Sequence, residues 1–284
     1  MTLPNFLIIG AGKSGTTSLY HYLGEHPEVF VSPIKETNFF VADGRRSEDH
    51  PVQSVAEYEA LFEGVTSEHA IGEASPAYLD SPTAAARIAE LLPNARLIAI
   101  LRNPVDRAWS DYLMRIRERD EVRAPDEAFT DDAPFVRQGF YSERVERFTS
   151  RFAADQIRFF SFDDFSTDAV GVTRRCYEFL GVDPSFQPNV EVRHNAGWSP
   201  RNRALHTVLK SRVLRRTLKP VVPQAARNLV RGLAERAGTE NPSIPANLEE
   251  RLRQLYRDDL GRVSDLTGLD VSTWLEPQPV SLEA

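Results

Sequence analysis

Cysteine is nearly absent from this sequence, with Cys176 the single example in 284 residues. One thiol excludes an internal disulfide framework and a cysteine-built zinc site, and it fits a reducing compartment. Cys176 lies in the apolar pattern Cys176, Tyr177, Phe179, Leu180, which predicts a buried structural thiol and no nucleophile. Long apolar runs are missing as well. No stretch approaches the roughly 20 residues that span a bilayer, and no positive charge precedes the apolar run at 6–9, so the sequence predicts a cytoplasmic protein. Internal repeats and low-complexity segments are also lacking.

Positive charge is in deficit, with 34 Lys and Arg against 41 Asp and Glu and a net charge of −7. The deficit is uneven. The stretch 201–231 holds nine Lys or Arg and no Asp or Glu, which leaves −16 on the rest of the chain. Such a basic flank suits an anionic ligand, an acidic acceptor or a membrane surface, and equally a solvated helical face. The 41% apolar and 26% charged content is that of an ordinary globular protein with a sizeable core. An α/β fold absorbs this length around one sheet, so the expectation is a single domain over 1–284, with 200–284 a mainly helical extension of it.

Strand and helix periods alternate along the chain. Residues 6–9 read as a strand, a Gly-, Ser- and Thr-rich turn follows, and 17–23 read as a helix. A second unit has a buried strand from Arg96 through LIAIL, a break at Asn103-Pro104 and a helix over 105–119. Residues 157–162 and 170–180 make a third pair, and 69–73 with 82–92 a fourth. The alternation predicts a three-layer, P-loop-like α/β fold: a central, mostly parallel sheet flanked by helices. The acidic, Pro-containing stretch 120–134 reads as a surface excursion. An amphipathic helix is expected over 248–266, and a frayed tail after Trp274.

The chemistry concentrates in Gly10-Ala11-Gly12-Lys13-Ser14-Gly15-Thr16-Thr17, set between a strand and a helix. Backbone amides and a helix N-terminus converge on such a turn, which attracts an anion. Glycines let the main chain approach phosphate oxygens closely, Lys13 adds a mobile positive charge, and Thr16 and Thr17 offer hydroxyl donors. The nucleoside-triphosphatase pattern GxxxxGK[ST] would need glycine at position 7, which holds Leu7.

At this point the chain resembles a known family. The opening FLIIGAGKSGTTSLYHYLGEHPEV is similar to that of PAPS-dependent sulfotransferases, in the branch related to the heparan sulfate enzymes. The resemblance continues through KETNFF at 35–40, LRNPVDRAWSDYL at 101–113, FLGVDP at 179–184 and a pattern from Tyr256 to Trp274. It implies transfer of a sulfuryl group from 3′-phosphoadenosine-5′-phosphosulfate (PAPS) to an acceptor hydroxyl or amine, leaving 3′-phosphoadenosine-5′-phosphate (PAP). The loop residues Gly12, Lys13, Ser14, Gly15, Thr16 and Thr17 would hold the 5′-phosphosulfate, and Arg102 with Ser110 the 3′-phosphate. Arginine suits that task because its planar fork donates two parallel hydrogen bonds. Arg201 and Arg203, in Trp198-Ser199-Pro200-Arg201-Asn202-Arg203, occupy the place of a loop that closes over the nucleotide. The matching motif assigns the catalytic base to Glu36, and Lys13 would stabilise charge on the leaving oxygen. No metal is expected.

Several alternatives stand beside these roles. Glu36 has an ion pair with Lys35 as its other reading, and Tyr141 is either an aromatic near the nucleotide or a core tyrosine. Glu73 either orients the acceptor or is a buried structural carboxylate. The segment Glu73-Ala74-Ser75-Pro76-Ala77-Tyr78 departs from the related EKSPxY, with Ala74 where a lysine is usual. A P-loop kinase would need Mg²⁺ and a carboxylate ending a strand, whereas the second unit's strand ends in Arg102. A non-catalytic nucleotide-binding protein would need no base at Glu36. The acceptor, whether carbohydrate, lipid or small metabolite, is not legible from sequence; neither nucleic acid nor a transmembrane segment is implied, and contact with a membrane surface stays open.

Overall fold

The computed structural model of the chain describes residues 2–41, 52–118, 121–191 and 242–276. Five parallel strands form one sheet: β1 (Phe6–Gly10), β2 (Val29–Val31), β3 (Ala70–Ala74), β4 (Arg96–Leu101) and β5 (Ile157–Ser161), in the order β2-β3-β1-β4-β5. Successive side chains point to opposite faces of a strand, and both faces here are apolar. Leu7 and Ile9 of β1 join Leu97, Ala99 and Leu101 of β4 in one core, while Phe6 and Ile8 join Ile98 and Ile100 in the other. Every one of these residues is completely buried.

The first core is covered by α4 (Ala84–Leu91), α5 (Pro104–Glu118), α8 (Ser142–Thr149) and a long C-terminal helix, α11 (Ala246–Thr267). The second lies under α1 (Thr16–Gly24) and α10 (Ala169–Leu180), where Cys176 is wholly buried and its thiol pKa is pushed up by burial. Shorter helices complete the order: α2 (Val55–Ala60), α3 (Ala77–Asp80), α6 (Pro125–Ala128), α7 (Pro134–Arg137) and α9 (Phe162–Thr167). Among the described residues no helix is long and apolar enough to cross a membrane.

Three details differ from the sequence expectations. Strand β5 ends at Ser161, because the Ser161 hydroxyl accepts a hydrogen bond from Asp163 N at 3.0 Å and caps α9, so Phe162 opens a helix. The stretch 120–134 is not purely a surface excursion: Ala128 and Phe129 are buried, and Phe129 packs edge-on against Phe135 with 4.7 Å between ring centres. Strand β2, three residues long, has no periodic signal of its own. The frayed tail expected after Trp274 falls mostly outside the described residues, and so does most of the helical extension.

Strand β1 lies between β3 and β4, so the chain steps outward from β1 in both directions. In open α/β sheets such a switch point opens a crevice at the carboxyl ends of the strands. Three segments meet that edge: the turn after β1, the residues after β4, and the 36–38 segment held to the end of β3.

Candidate active site

The turn after β1 leads into α1 through two left-handed residues, Lys13 at φ 69° and Gly15 at φ 82°. A side chain at Gly15 would also press on the Phe165 ring, with 3.0 Å between its Cβ and the nearest ring atoms. Gly12 differs. A Cβ built there meets nothing within 4 Å, so the described protein packing does not require glycine at that position, whereas close approach of a ligand would. Ser14 is completely buried and its hydroxyl has no hydrogen-bond partner. Thr16 is buried and Thr17 half-buried at the start of α1.

The ammonium of Lys13 lies 3.4 Å from the sulfur of Met114 on α5. Burial holds the Lys13 pKa below its ordinary value, and the positive charge of Arg117 adds to the effect. The charges of Asp111 and Glu118 oppose that shift, so burial decides its direction.

Arg102 follows directly on β4, and its guanidinium donates to the carbonyl oxygen of Lys13 at 3.2 Å. The two residues share one crevice. The guanidinium rests on the face of Phe162 at 4.6 Å, its Nε is buried without a partner, and burial pulls its pKa down against the opposing charge of Asp106. Asn103 Oδ1 caps the first turn of α5 by accepting from Val105 N at 3.0 Å. On that helix, positions four apart share a face, so Asp106, Ser110 and Met114 form a row leading to Lys13. Ser110 is half-buried there. Arg107 serves the core instead: it is buried, pairs with Asp111 at 3.4 Å and donates to Gln138 Oε1 at 3.2 Å.

Tyr141 is a core tyrosine. It is 0% exposed, its hydroxyl donates to the Arg102 carbonyl at 2.9 Å, and burial pushes its pKa up to about 12.

Glu36 lies at the end of β3, where its backbone N–H donates to Ala74 O at 2.8 Å. Its carboxylate is half-exposed and ion-paired with Lys35, the contact that was its alternative reading. Glu73 is a buried structural carboxylate that accepts hydrogen bonds from Tyr78 (2.5 Å), Ser75 (2.7 Å) and Tyr58 (3.2 Å). All three of these donors are hydroxyls. Among the described residues no group of three or more His, Cys, Asp or Glu side chains is arranged to hold a metal.

Of the residues singled out from sequence, the loop, Arg102, Ser110 and Glu36 all lie at the carboxyl edge of the sheet. Arg201 and Arg203 lie outside the described residues. Phe162, Asp106, Met114 and Arg117 escaped the sequence reading. The last two are accessible through the helical spacing that runs from Ser110 to Met114 and Arg117, whereas no local signal places Phe162 beneath Arg102.

Comparison with known proteins places these observations in a family. A family model described as the sulfotransferase family matches residues 4–188. The chain is 37% identical over 128 residues to the membrane-associated sulfotransferase kil1 of Dictyostelium discoideum, covering 44% of this chain and 26% of that protein. It is 30% identical over 207 residues to the bifunctional heparan sulfate N-deacetylase/N-sulfotransferase 2 of Bos taurus, covering 64% of this chain and 22% of that one. The chain thus spans about a quarter of the length of the curated relatives it matches. A solved sulfotransferase structure from Alicyclobacillus acidocaldarius superposes with a TM-score of 0.75 at 28% identity, covering 97% of this chain and all of that one.

Proposed function

Because the chain belongs to the sulfotransferase family, we propose that it transfers a sulfuryl group from PAPS to an acceptor hydroxyl or amine. The observation that carries this reading is the contact of Arg102 with the Lys13 carbonyl, which joins two cationic segments in one crevice with unpartnered buried polar atoms at Ser14 Oγ and Arg102 Nε. Buried polar groups are rarely left unsatisfied, and both atoms here can donate to anionic oxygens. They suit a ligand with two separated phosphates.

In this reading the residues 12–17 bind the phosphosulfate end, and Arg102 with Ser110 binds the 3′-phosphate. PAPS supplies the sulfuryl group: the bond from sulfur to the 5′-phosphate oxygen breaks as a bond from sulfur to the acceptor forms. Glu36 takes the acceptor's proton onto its carboxylate, which requires Lys35 to release it. Lys13 and the loop amides face the place where negative charge grows on the leaving phosphate oxygen. The charge is met by the protein's own donors, so transfer is expected to proceed in the presence of a chelator. Similarity to heparan sulfate N-sulfotransferases favours a carbohydrate acceptor, while Ala74 in place of the usual lysine leaves lipids and small metabolites in the same class of candidates.

The test is a PAPS-dependent acceptor screen over carbohydrates, phenols and lipid alcohols. The wild-type protein is expected to release PAP with at least one class. Replacing the base in Glu36→Gln is expected to lower transfer by about 10²- to 10⁴-fold while PAP affinity stays near that of the wild type. A Glu36→Gln protein with full transfer would remove Glu36 from its role.

A further inference from the structure

Glu73 has a geometry that goes beyond filling a core. It is 0% exposed near the end of β3, and three hydroxyls converge on its carboxylate. An ionised carboxylate only accepts hydrogen bonds, so each hydroxyl directs its hydrogen inward and shows a lone pair to its other neighbour. Ser75 Oγ uses that lone pair to accept Asn38 N–H at 3.1 Å. Tyr78 Oη lies 3.0 Å from Thr37 Oγ1, which the same logic makes the donor. With Glu36 N on the Ala74 carbonyl at 2.8 Å, three consecutive residues are tied to the segment that begins at Glu73.

The turn needs such ties. Glu36 and Asn38 both have left-handed backbones, at φ 64° and 51°, which non-glycine residues adopt at a cost and keep only where the surroundings enforce it. A buried carboxylate at the centre of a hydroxyl network gives the required rigidity. Tyr58 provides an internal contrast. Its hydroxyl reaches the same Glu73 oxygen, but its contact with the 36–40 segment is through its ring, stacked on Phe39 at 4.3 Å.

We infer that Glu73 is a positioning residue that fixes the 36–38 turn through Ser75 and Tyr78, and thereby aims the Glu36 carboxylate at the acceptor. The inference rests on the sulfotransferase reading above for the role of Glu36, but the fixing of the turn does not depend on it.

The test compares Glu73→Gln, Ser75→Ala, Thr37→Val and Tyr58→Phe in the full chain, by steady-state kinetics and by amide hydrogen exchange of the segments 34–41 and 10–17. An amide at position 73 has one donor group facing hydroxyls that already donate, so one arm must reverse. Glu73→Gln is expected to lower kcat by about 100-fold, the loss that a misplacement of about 1 Å can produce, with KM for the donor unchanged. Ser75→Ala and Thr37→Val each cut one arm and are expected to lower kcat with donor KM unchanged; they carry the test if Glu73→Gln does not fold. Tyr58→Phe keeps the ring and the turn, and its kcat is expected to match the wild type. Equal losses in Tyr58→Phe and the two arm variants, or full kcat in both arm variants, would overturn the inference. Exchange separates the two readings: faster exchange in 34–41 with 10–17 unchanged supports the fixing of the turn even in a protein that transfers no sulfuryl group, and unchanged exchange in 34–41 overturns it.

Discussion

At the level of single residues, the proposed function assigns most of the electrostatic work to Lys13 and Arg102. The lowered Lys13 pKa has a consequence for binding. An anion beside the ammonium raises its pKa again, so at alkaline pH below the ordinary lysine value of 10.5 PAP binding is expected to take up a proton, and affinity to fall as pH rises through the depressed pKa. The sign for folding follows the same shift: the folded state disfavours the ammonium, so this group's penalty is full below the depressed pKa and is relieved as pH climbs toward 10.5. Calorimetric titration in buffers of different ionisation enthalpy measures the uptake, which is expected to vanish in Lys13→Met. For Arg102, replacement by lysine keeps the charge but loses the planar fork and the stacking on Phe162. PAP affinity of Arg102→Lys is expected to drop by about 10- to 100-fold, or about 1.4–2.8 kcal/mol, and an unchanged dissociation constant would contradict its role. Lys13 and Arg102 are legible as candidates because each stands inside a motif at a strand end, and Glu36 through the resemblance carried by KETNFF at 35–40. Phe162 is not, since its place beneath Arg102 depends on where β5 stops, and Glu73 has two readings because sequence does not show that the hydroxyls of Tyr58, Ser75 and Tyr78 turn onto it.

The elements that build the site are short and locally determined. The turn between β1 and α1 depends on Gly15, whose left-handed backbone and contact with Phe165 both oppose a side chain. Gly15→Ala is expected to lose about 1–2 kcal/mol of stability from the backbone alone and to weaken PAP binding, measured by denaturant unfolding and titration of the same sample. Strands β1 and β4 and helices α1, α5 and α10 could be read from sequence because continuous apolar runs and a 3.6-residue period differ plainly. Strand β2 could not, for three residues hold no period. The 120–134 stretch misled because Asp126, Glu127, Asp131 and Asp132 are exposed while Phe129 turns inward among Tyr112 and Phe135.

Across the whole molecule, the alternation of strands and helices announced a parallel three-layer fold, but not that β1 separates β3 from β4. That order is a matter of long-range pairing, fixed by which apolar faces fit together and not by neighbours in sequence. It also decides the site, because it brings the turn after β1 beside the end of β4 on one flank and the 36–38 segment on the other. The basic stretch 201–231, with Arg201 and Arg203, lies outside the described residues. The joint grip of the β1 turn and Arg102 on one bisphosphorylated adenosine is tested most directly by calorimetric titration of PAP and ATP into the wild type, Lys13→Ala and Arg102→Ala. Tight binding of PAP in preference to ATP, weakened in both variants, is the expected result; a wild-type protein indifferent to PAP, or variants that bind it as well as the wild type, would contradict the account.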